Sequence, residues 1–373
     1  MRKLRVATVV GTRPEIIRLS RTLVELDKRF DHQLIHTGQN YDRELSEIFF
    51  EQLGLRAPDH HLQAAGSTAL QTVGTMLQQI DPLLDEIAPD AMLLLGDTDS
   101  CLSVLAAKKK RIPVFHMEAG NRCFDERVPE ESNRRLVDHL SDINLPYSSL
   151  ARENLLREGL PPDRVIKTGS PMKEVLDHYA DDIERSDVLD RLELEPGGYF
   201  LFSCHRAENV DRRERLDLLV AVLRSIAERY GRRLIFSTHP RTRARLERFG
   251  VELPALVESL PPFGYFDYVK LQREAGAVLS DSGTITEESS LLGFKAINLR
   301  EAHERPEGME EAAVMMTGLN AERVLQGLDL LEDTQPIEPV ADYQAPRVSQ
   351  KVARIILSYT DYVRRIVWQG ESA

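Results

Sequence analysis

Two runs of alternating strands and helices are the feature that most constrains how this 373-residue chain folds. Each short β-branched run is followed by a segment with apolar residues at helical spacing, and the pattern restarts after Gly198. Such alternation predicts βαβ units and parallel sheets covered by helices on both faces. The strand segments are RVATVV, HQLIHT, AMLLLG and IPVFHM in the first run, and YFLFSCH, RLIFSTHP, AGAVLSD and FKAINLR in the second.

The length of the chain is too great for one ordinary hydrophobic core, so we predict an α/β fold with two Rossmann-like domains and an inter-domain cleft. The first domain is expected over residues 1–169 and the second over residues 170–347. Apolar residues at helical spacing then predict a last helix within residues 348–373, which we expect to pack back across the domains.

Composition excludes several classes of partner. The net charge of −12 leaves no basic excess to neutralise phosphates, so a nucleic-acid partner is not expected. The three cysteines are widely spaced, which is typical of a reducing compartment and argues against a structural zinc site. The longest apolar run, LLVAVL, is far too short to span a membrane. We therefore expect a cytoplasmic protein without a membrane partner.

The segment GTRPEIIR directly follows the first predicted strand. Thr12 and Glu15 have the spacing of a capping box, and the helix that begins there offers unpaired N–H groups to an anion. Arg13 and Arg18 add positive charge at the same end. The segment therefore fits either a phosphate site or an ordinary strand-to-helix turn with a good cap.

The segment DSGTITEESS is the matching feature of the second run. Thr284 and Glu287 again have capping-box spacing, while Gly283 permits close backbone approach, so that Ser282 and the amides behind it can face a diphosphate. A carboxylate of the first turn, Glu287 or Glu288, has the position to accept hydrogen bonds from ribose hydroxyls. The alternative is that these acids only favour the helix N-terminus.

Two further segments supply cationic donors in the second half. His205 and Arg206 in CHRAEN follow a predicted strand and offer donors to a second phosphate, although a structural hydrogen-bonding histidine is the alternative. Arg305 in ERPEGME stands directly before a proline. It fits either a fixed phosphate ligand or an ordinary surface arginine.

Three acidic residues point to proton transfer. Asp97 and Glu118 each stand just past a predicted strand, where open α/β sheets bind their ligands. Glu130 begins the next helix and Arg134 lies one turn further on, either as part of a site or as an exposed i,i+4 pair. Three carboxylates without a metal-binding set of His and Cys indicate acid–base chemistry rather than metal catalysis.

Together these segments resemble a known family. GTRPEIIR, GDTDS, HMEAGNR, PEESNRR, CHRAEN, DSGTITEE and ERPE occur in the order seen in the non-hydrolysing UDP-N-acetylglucosamine 2-epimerases, over nearly the whole chain. HTGQNYD, FHMEAGNRCFD, VDHLSDINLPY, TGSPM and FGYFDY are most similar to one branch. That branch converts UDP-2-acetamido-2,6-dideoxy-L-talose to UDP-N-acetyl-L-fucosamine for surface polysaccharide such as capsule or O-antigen.

The resemblance implies a GT-B-like fold, a homodimer, and inversion of C2 by elimination and re-addition of UDP, with no NAD and no metal. It implies that the first domain serves the sugar and its acid–base chemistry and that the second binds UDP. By motif, it places Asp97, Glu118, Glu130 and Arg134 at the sugar, with His205 also catalytic. It assigns the phosphates to Arg13, Arg18, His205, Ser282, Gly283 and Arg305, the ribose to Glu288, and stacking on uracil to Tyr268.

Two departures from the family bear on its substrate. Arg18 stands where the family commonly has lysine, which keeps the charge but changes its geometry. GQNYDREL replaces the QHRxM-like stretch of relatives that UDP-GlcNAc activates. The alternatives are a UDP-GlcNAc/UDP-ManNAc 2-epimerase, a hydrolysing epimerase and a non-catalytic nucleotide-sugar sensor. A GT-B glycosyltransferase is disfavoured because Lys295 and Ala296 occupy the positions of its second glutamate.

Overall fold

The computed structural model describes residues 2–39, 49–334 and 338–369, and in it the chain divides into two compact units. Unit 1 comprises Met1–Asp177 and Asp342–Ala373, and unit 2 comprises His178–Ala341. Each unit contains one six-stranded sheet in which every strand pairing is parallel. Two Rossmann-like parallel sheets, as predicted, are therefore confirmed.

Unit 1 has the sheet order β3-β2-β1-β4-β5-β6. The strands are β1 (Arg5–Val10), β2 (Asp31–His36), β3 (His60–His61), β4 (Ala91–Leu95), β5 (Val114–Met117) and β6 (Ile143–Leu145). The helices are α1 (Arg13–Arg29), α2 (Ala69–Ile87), α3 (Val104–Lys109), α4 (Pro129–Leu140), α5 (Ser149–Arg157) and α6 (Met172–His178), with 3₁₀ turns at Asp99–Ser103 and Pro162–Arg164.

Unit 2 repeats this order as β12-β11-β10-β7-β8-β9. The strands are β7 (Tyr199–Ser203), β8 (Arg233–Ser237), β9 (Val257–Leu260), β10 (Ala277–Ser280), β11 (Ala296–Asn298) and β12 (Met315–Met316). The helices are α7 (Ala180–Glu184), α8 (Val188–Arg191), α9 (Ala207–Val210), α10 (Arg213–Tyr230), α11 (Pro240–Phe249), α12 (Tyr265–Glu274), α13 (Ile285–Leu292), α14 (Pro306–Glu310) and α15 (Ala321–Asp333). A 3₁₀ turn at Ala341–Gln344 begins at the last residue of unit 2 and continues into the final segment of unit 1.

Continuous apolar runs form the central strands because helices cover both faces of each sheet. Every residue of β4, β5 and β7 is buried. In unit 1, for example, Met92 and Leu94 of β4 share a core with Met76 and Ile80 of α2. The buried central strands fix where their carboxyl ends emerge, and the candidate site residues follow those ends.

The strand order reverses between β1 and β4 in unit 1, and between β7 and β10 in unit 2. Ligands of open α/β sheets bind beyond the carboxyl ends of strands at such a switch point. The segments GTRPE and GDTDS follow β1 and β4, while CHRAEN and DSGT follow β7 and β10. Four of the segments singled out from the sequence therefore lie at the switch points of the two units.

The last helix, α16 (Val348–Tyr362), continues through a π-helical turn at Val363–Val367 and belongs to unit 1. It packs on α1, and the backbone N–H of Ser349 donates to Glu174 at 2.9 Å. These contacts group residues 170–177 and 342–347 with unit 1, whereas the sequence placed both segments in the second domain. How far the predicted domain boundaries coincide with independently folding domains stays a prediction.

Parts of two sequence predictions lie outside the described residues. The first is most of GQNYDREL. The second is a helix that apolar spacing also predicts over RELSEIFFEQL, whose first six residues lie outside the described part; residues 49–52 of that segment are helical. Within residues 2–39, 49–334 and 338–369, no helix is both long and apolar enough to cross a membrane.

Candidate active-site residues in each unit

Glu15 ties together the two loops at the switch point of unit 1. One carboxylate oxygen accepts the backbone N–H groups of Gly11 (2.9 Å) and Thr12 (2.6 Å), and the other accepts the hydroxyls of Thr98 (3.1 Å) and Ser100. Burial raises the pKa of Glu15 even though these hydrogen bonds lower it. Sequence reasoning identified Glu15 only as a helix cap, since nothing in its spacing shows the contact with the second loop.

Asp97, one of the predicted acids, is held by Arg134. Its Oδ2 accepts hydrogen bonds from Arg134 Nε at 3.0 Å and Nη2 at 2.6 Å, and Arg134 Nη1 donates to Glu131 Oε2 at 2.8 Å. The Arg134 side chain is 4% exposed, so the alternative of an exposed surface pair is wrong. The structure places Asp97 and Arg134 together, as the sequence predicted for this end of the sheet.

Glu131 is a buried neighbour of Arg134 that sequence reasoning missed. It is fully buried and accepts the backbone N–H groups of Cys123 (3.1 Å) and Phe124 (3.2 Å) as well as Arg134. Burial by itself raises the pKa of Glu131, but the hydrogen bonds from Cys123 and the charge of Arg134 hold this pKa below its usual range. Glu131 therefore fixes the loop between β5 and α4 to the arginine that holds Asp97.

Glu118 is the first residue after β5 and has a left-handed backbone, with φ of 65°. Such a conformation costs a non-glycine residue about 1–3 kcal/mol and tends to persist at functional sites. Arg18 Nη1 donates to Glu118 Oε2 at 2.5 Å, and both side chains are largely buried. The structure thus pairs Arg18, predicted at a phosphate, with a predicted sugar acid; the phosphate contact stays a prediction.

Glu130 and Arg13 complete the predicted set in unit 1. Glu130 lies in the first turn of α4 and is half-buried. Burial of Asp99 raises the pKa of that carboxyl, and the negative charge of Glu130 raises it further. Asn133 Nδ2 donates to both the Asp97 carbonyl oxygen (3.0 Å) and Asp99 Oδ1 (3.3 Å). The guanidinium of Arg13 lies 5.5 Å from the ring centroid of Phe49. This arrangement sets carboxylates beside fixed donors at the ends of neighbouring strands.

Asp281 plays the corresponding part in unit 2, tying the loop after β7 to the end of β10. This fully buried carboxylate accepts the backbone N–H groups of His205 (3.0 Å) and Arg206 (2.9 Å), the Cys204 thiol (3.0 Å) and Asn209 Nδ2 (3.2 Å). Burial alone raises the pKa of Asp281, but the charge of His205 and these hydrogen bonds hold it well below the usual range. The sequence analysis identified the segment DSGTITEESS but assigned no role to Asp281.

His205 projects one ring nitrogen away from Asp281. Its Nδ1 lies 3.2 Å from Asp281 Oδ1, and its side chain is 37% exposed. The contact orients the imidazole and leaves Nε2 as the nitrogen directed away from the carboxylate. His205 is thus only partly buried, and its contact with Asp281 fits the alternative of a structural hydrogen-bonding histidine. Its role at a phosphate stays a prediction.

The turn from Ser282 to Thr284 differs from the prediction. Thr284 already has helical angles (φ −78°, ψ −18°) and makes no side-chain cap; its hydroxyl lies 2.9 Å from that of Ser282. The predicted capping box with Glu287 is wrong because Thr284 belongs to the helical turn. Glu287 is instead buried, 3.8 Å from Arg305 Nη1.

Arg305 supports the turn from Ser282 to Thr284 through a hydrogen bond. Its Nε donates to the carbonyl oxygen of Gly283 at 3.0 Å, and the residue is 3% exposed. The surface-arginine alternative is therefore wrong. A direct contact between Arg305 and a phosphate stays a prediction.

Tyr268 and Glu288 lie near each other at the same end of unit 2. The Tyr268 hydroxyl donates to Ser203 Oγ at 3.2 Å, and burial together with the charge of Glu288 raises the pKa of Tyr268. Glu288 Oε2 accepts from Gln272 Nε2 at 2.6 Å. Of the two acids considered for ribose, Glu287 is fully buried and Glu288 is only partly buried. The ribose contact stays a prediction.

The family model for UDP-N-acetylglucosamine 2-epimerase matches residues 23–357. The chain belongs to this family. A UDP-N-acetylglucosamine 2-epimerase from Methanocaldococcus jannaschii is 35% identical over 343 residues, covering 88% of this chain and 92% of the relative. A UDP-2,3-diacetamido-2,3-dideoxy-D-glucuronate 2-epimerase from Pseudomonas aeruginosa is 33% identical, covering 87% of this chain and 91% of the relative.

A solved UDP-N-acetylglucosamine 2-epimerase from Rickettsia bellii is 46% identical and superimposes with a TM-score of 0.90, covering 98% of this chain and all of that chain. The M. jannaschii enzyme in complex with UDP-GlcNAc and UDP also gives a TM-score of 0.90, at 33% identity and with 95% and 99% coverage. Together with the two parallel sheets, these members of the epimerase family confirm the GT-B-like fold class.

Proposed function

We propose that this protein inverts C2 of a UDP-linked 2-acetamido sugar by elimination and re-addition of UDP. The observation that carries the proposal is the pair formed by Arg18 and the left-handed Glu118 at the end of β5. The buried Arg18 fixes the direction of that carboxylate, and a positioned proton acceptor requires such a fixed direction. The Asp97–Arg134 pair at the end of β4 supplies a second fixed carboxylate.

In the proposed reaction a carboxylate removes the proton from C2, and the bond between C1 and the UDP oxygen breaks. The products are a 2-acetamidoglycal and UDP. The UDP oxygen then adds back to C1 while a proton is delivered to the opposite face of C2. Because the substrate and product have the same oxidation state, the sequence of steps requires no hydride carrier.

In this proposal different residues act on the sugar and on the UDP. Asp97, Glu118 and Glu130 handle the C2 proton, while Arg134 and Arg18 hold two of these carboxylates. The residues proposed for UDP are Arg13, Arg18, His205, Ser282, Gly283 and Arg305 at the phosphates, Glu288 at the ribose and Tyr268 at the uracil. Kinetic measurement decides which carboxylate transfers the C2 proton in each direction of the epimerisation.

Reaction in D₂O tests the proposal directly. Proton exchange at C2 is expected to place deuterium at C2 of both epimers, with free UDP remaining a trace product, and NMR of the sugar signals measures it. Release of UDP in step with substrate loss would indicate a hydrolysing epimerase. Transfer of the sugar to an added acceptor without C2 exchange would indicate a glycosyltransferase.

For the physiological substrate we propose UDP-2-acetamido-2,6-dideoxy-L-talose, with UDP-N-acetyl-L-fucosamine as the product. The proposal is supported by the branch-like segments HTGQNYD, FHMEAGNRCFD, VDHLSDINLPY, TGSPM and FGYFDY. We further propose that the enzyme is a cytoplasmic homodimer that serves surface polysaccharide synthesis. Relatives named for UDP-GlcNAc and for a UDP-diacetamido-glucuronate leave the sugar to experiment.

The two candidate sugars are separated by kcat/KM. We expect a clear preference for the 6-deoxy-L-talose derivative, and no sigmoidal activation when UDP-GlcNAc is added. A preference for UDP-GlcNAc accompanied by activation by the same compound would assign the protein to the UDP-GlcNAc/UDP-ManNAc enzymes instead.

A further inference from the structure

An acidic side chain lies against the turn that the proposed function gives to the diphosphate. A Cβ atom built on Gly283 would lie 2.0 Å from Glu304 Oε1, so this carboxylate oxygen packs directly on the glycine. The same Cβ would lie 3.7 Å from Arg206 Nη2. Glu304 thus places a negative charge where close backbone approach and a helix N-terminus favour an anion.

Glu304 is held there by Arg300, which follows β11. Arg300 Nη1 donates to Glu304 Oε2 at 2.5 Å, and the two residues are 2% and 6% exposed. The other guanidinium nitrogens of Arg300 are less well paired. Its Nε lies 3.8 Å from Glu208 Oε1, and neither Nε nor Nη2 has a hydrogen-bond acceptor within residues 2–39, 49–334 and 338–369.

Unused donors on a buried guanidinium are costly, and each requires an explanation. Glu304 accepts from Arg300 Nη1 through Oε2, while its Oε1 lies against Gly283. A diphosphate offers several oxygens to the same planar fork of donors. Gly283 leaves no side chain in the way of such a group. The donors of Arg300 and the position of Glu304 therefore point to an anion larger than a carboxylate.

We propose that Glu304 competes with the diphosphate of the UDP-sugar for Arg300 and for the Gly283 turn. On binding, the diphosphate displaces the Glu304 carboxylate and accepts the Arg300 N–H groups. When the nucleotide leaves, Glu304 returns and neutralises the arginine. This inference rests on the proposed function, since it identifies the anion as a nucleoside diphosphate.

Calorimetric titration of Glu304→Gln with UDP and with uridine tests the competition. Removing the negative charge is expected to tighten UDP binding about tenfold, because like charges repel strongly in a buried site. Uridine lacks the diphosphate, so its affinity should stay as in the unmodified chain. UDP affinity that is unchanged or weaker in Glu304→Gln would overturn the proposal.

The role of Arg300 is tested in the Glu304→Gln background, because replacing Arg300 there leaves no buried carboxylate without its cationic partner. There, Arg300→Met is expected to weaken UDP binding about 10–100-fold without changing uridine binding. If this double variant does not fold, Arg300→Lys in the same background is expected to weaken UDP binding less strongly. Unchanged UDP affinity in whichever variant folds would overturn the role given to Arg300.

Glu301→Gln is the matched control. It makes the same chemical change three positions earlier, at a side chain that is 54% exposed and paired with Arg215 at 2.8 Å. UDP affinity is expected to stay constant in this variant, and an equal gain would show a general charge effect and overturn the proposal. If the unmodified chain binds no UDP, the proposed function fails rather than the competition.

Discussion

Replacing Glu118 by Gln is expected to lower kcat about 10²–10⁴-fold, the usual contribution of a positioned acid or base. The amide keeps the size of the side chain and still accepts a hydrogen bond from Arg18, so the pair at the end of β5 stays in place. It no longer accepts a proton from C2. Exchange of the C2 proton in D₂O should fall in parallel with turnover.

UDP affinity of the Glu118→Gln variant should remain within about twofold of that of the unmodified chain, because Glu118 is not among the residues assigned to UDP. The matched control is Glu126→Gln, on the loop between β5 and α4. The Glu126 side chain is 68% exposed and pairs with Arg135 at the surface. Turnover that survives in Glu118→Gln, or falls equally in Glu126→Gln, would exclude Glu118 as the proton-transferring group.

Asp281→Asn is expected to lower the free energy of unfolding of the protein by about 3 kcal/mol at neutral pH, the scale for removing one partner of a buried charged network. The carboxylate accepts the backbone N–H groups of His205 and Arg206, and an amide nitrogen in its place turns a donor toward donors. Urea unfolding monitored by circular dichroism measures the change. In the same variant the His205 ring should be held less firmly in its orientation.

The stability difference should depend on pH in a defined direction. Because the folded pKa of Asp281 lies below its unfolded value, its contribution is fully present above the unfolded pKa of about 3.9 and is lost as pH falls toward the folded pKa. The gap between the unmodified chain and Asp281→Asn should therefore be constant above about pH 5 and shrink below about pH 4.

Asp217→Asn provides the control for that experiment. Asp217 is an exposed residue of α10 that pairs with Arg213 one turn away, a type of contact worth about 0.3–0.5 kcal/mol. Its replacement should change stability little at any pH. A stability gap for Asp281→Asn that widens on acidification would contradict the ionised state assigned to this carboxylate.

The sequence by itself determined the two parallel sheets and the positions of the acids along them. AMLLL is apolar at every residue and YFLFS at its first four residues, as expected of strands covered on both faces. Once the strands are known, Asp97 and Glu118 must follow their carboxyl ends. These conclusions rest on periodicity, which is a local property of the chain.

Tertiary structure alone decided which charged residues meet. Helical spacing brings both Glu130 and Glu131 within reach of Arg134, and only packing of the loop between β5 and α4 buries Glu131 against it. Glu15 and Asp281 each join loops that are separated by more than 70 residues of sequence. A buried charge has lost its access to water and therefore needs partners, which here come from distant strands. Local spacing in the sequence does not show which residues those partners are.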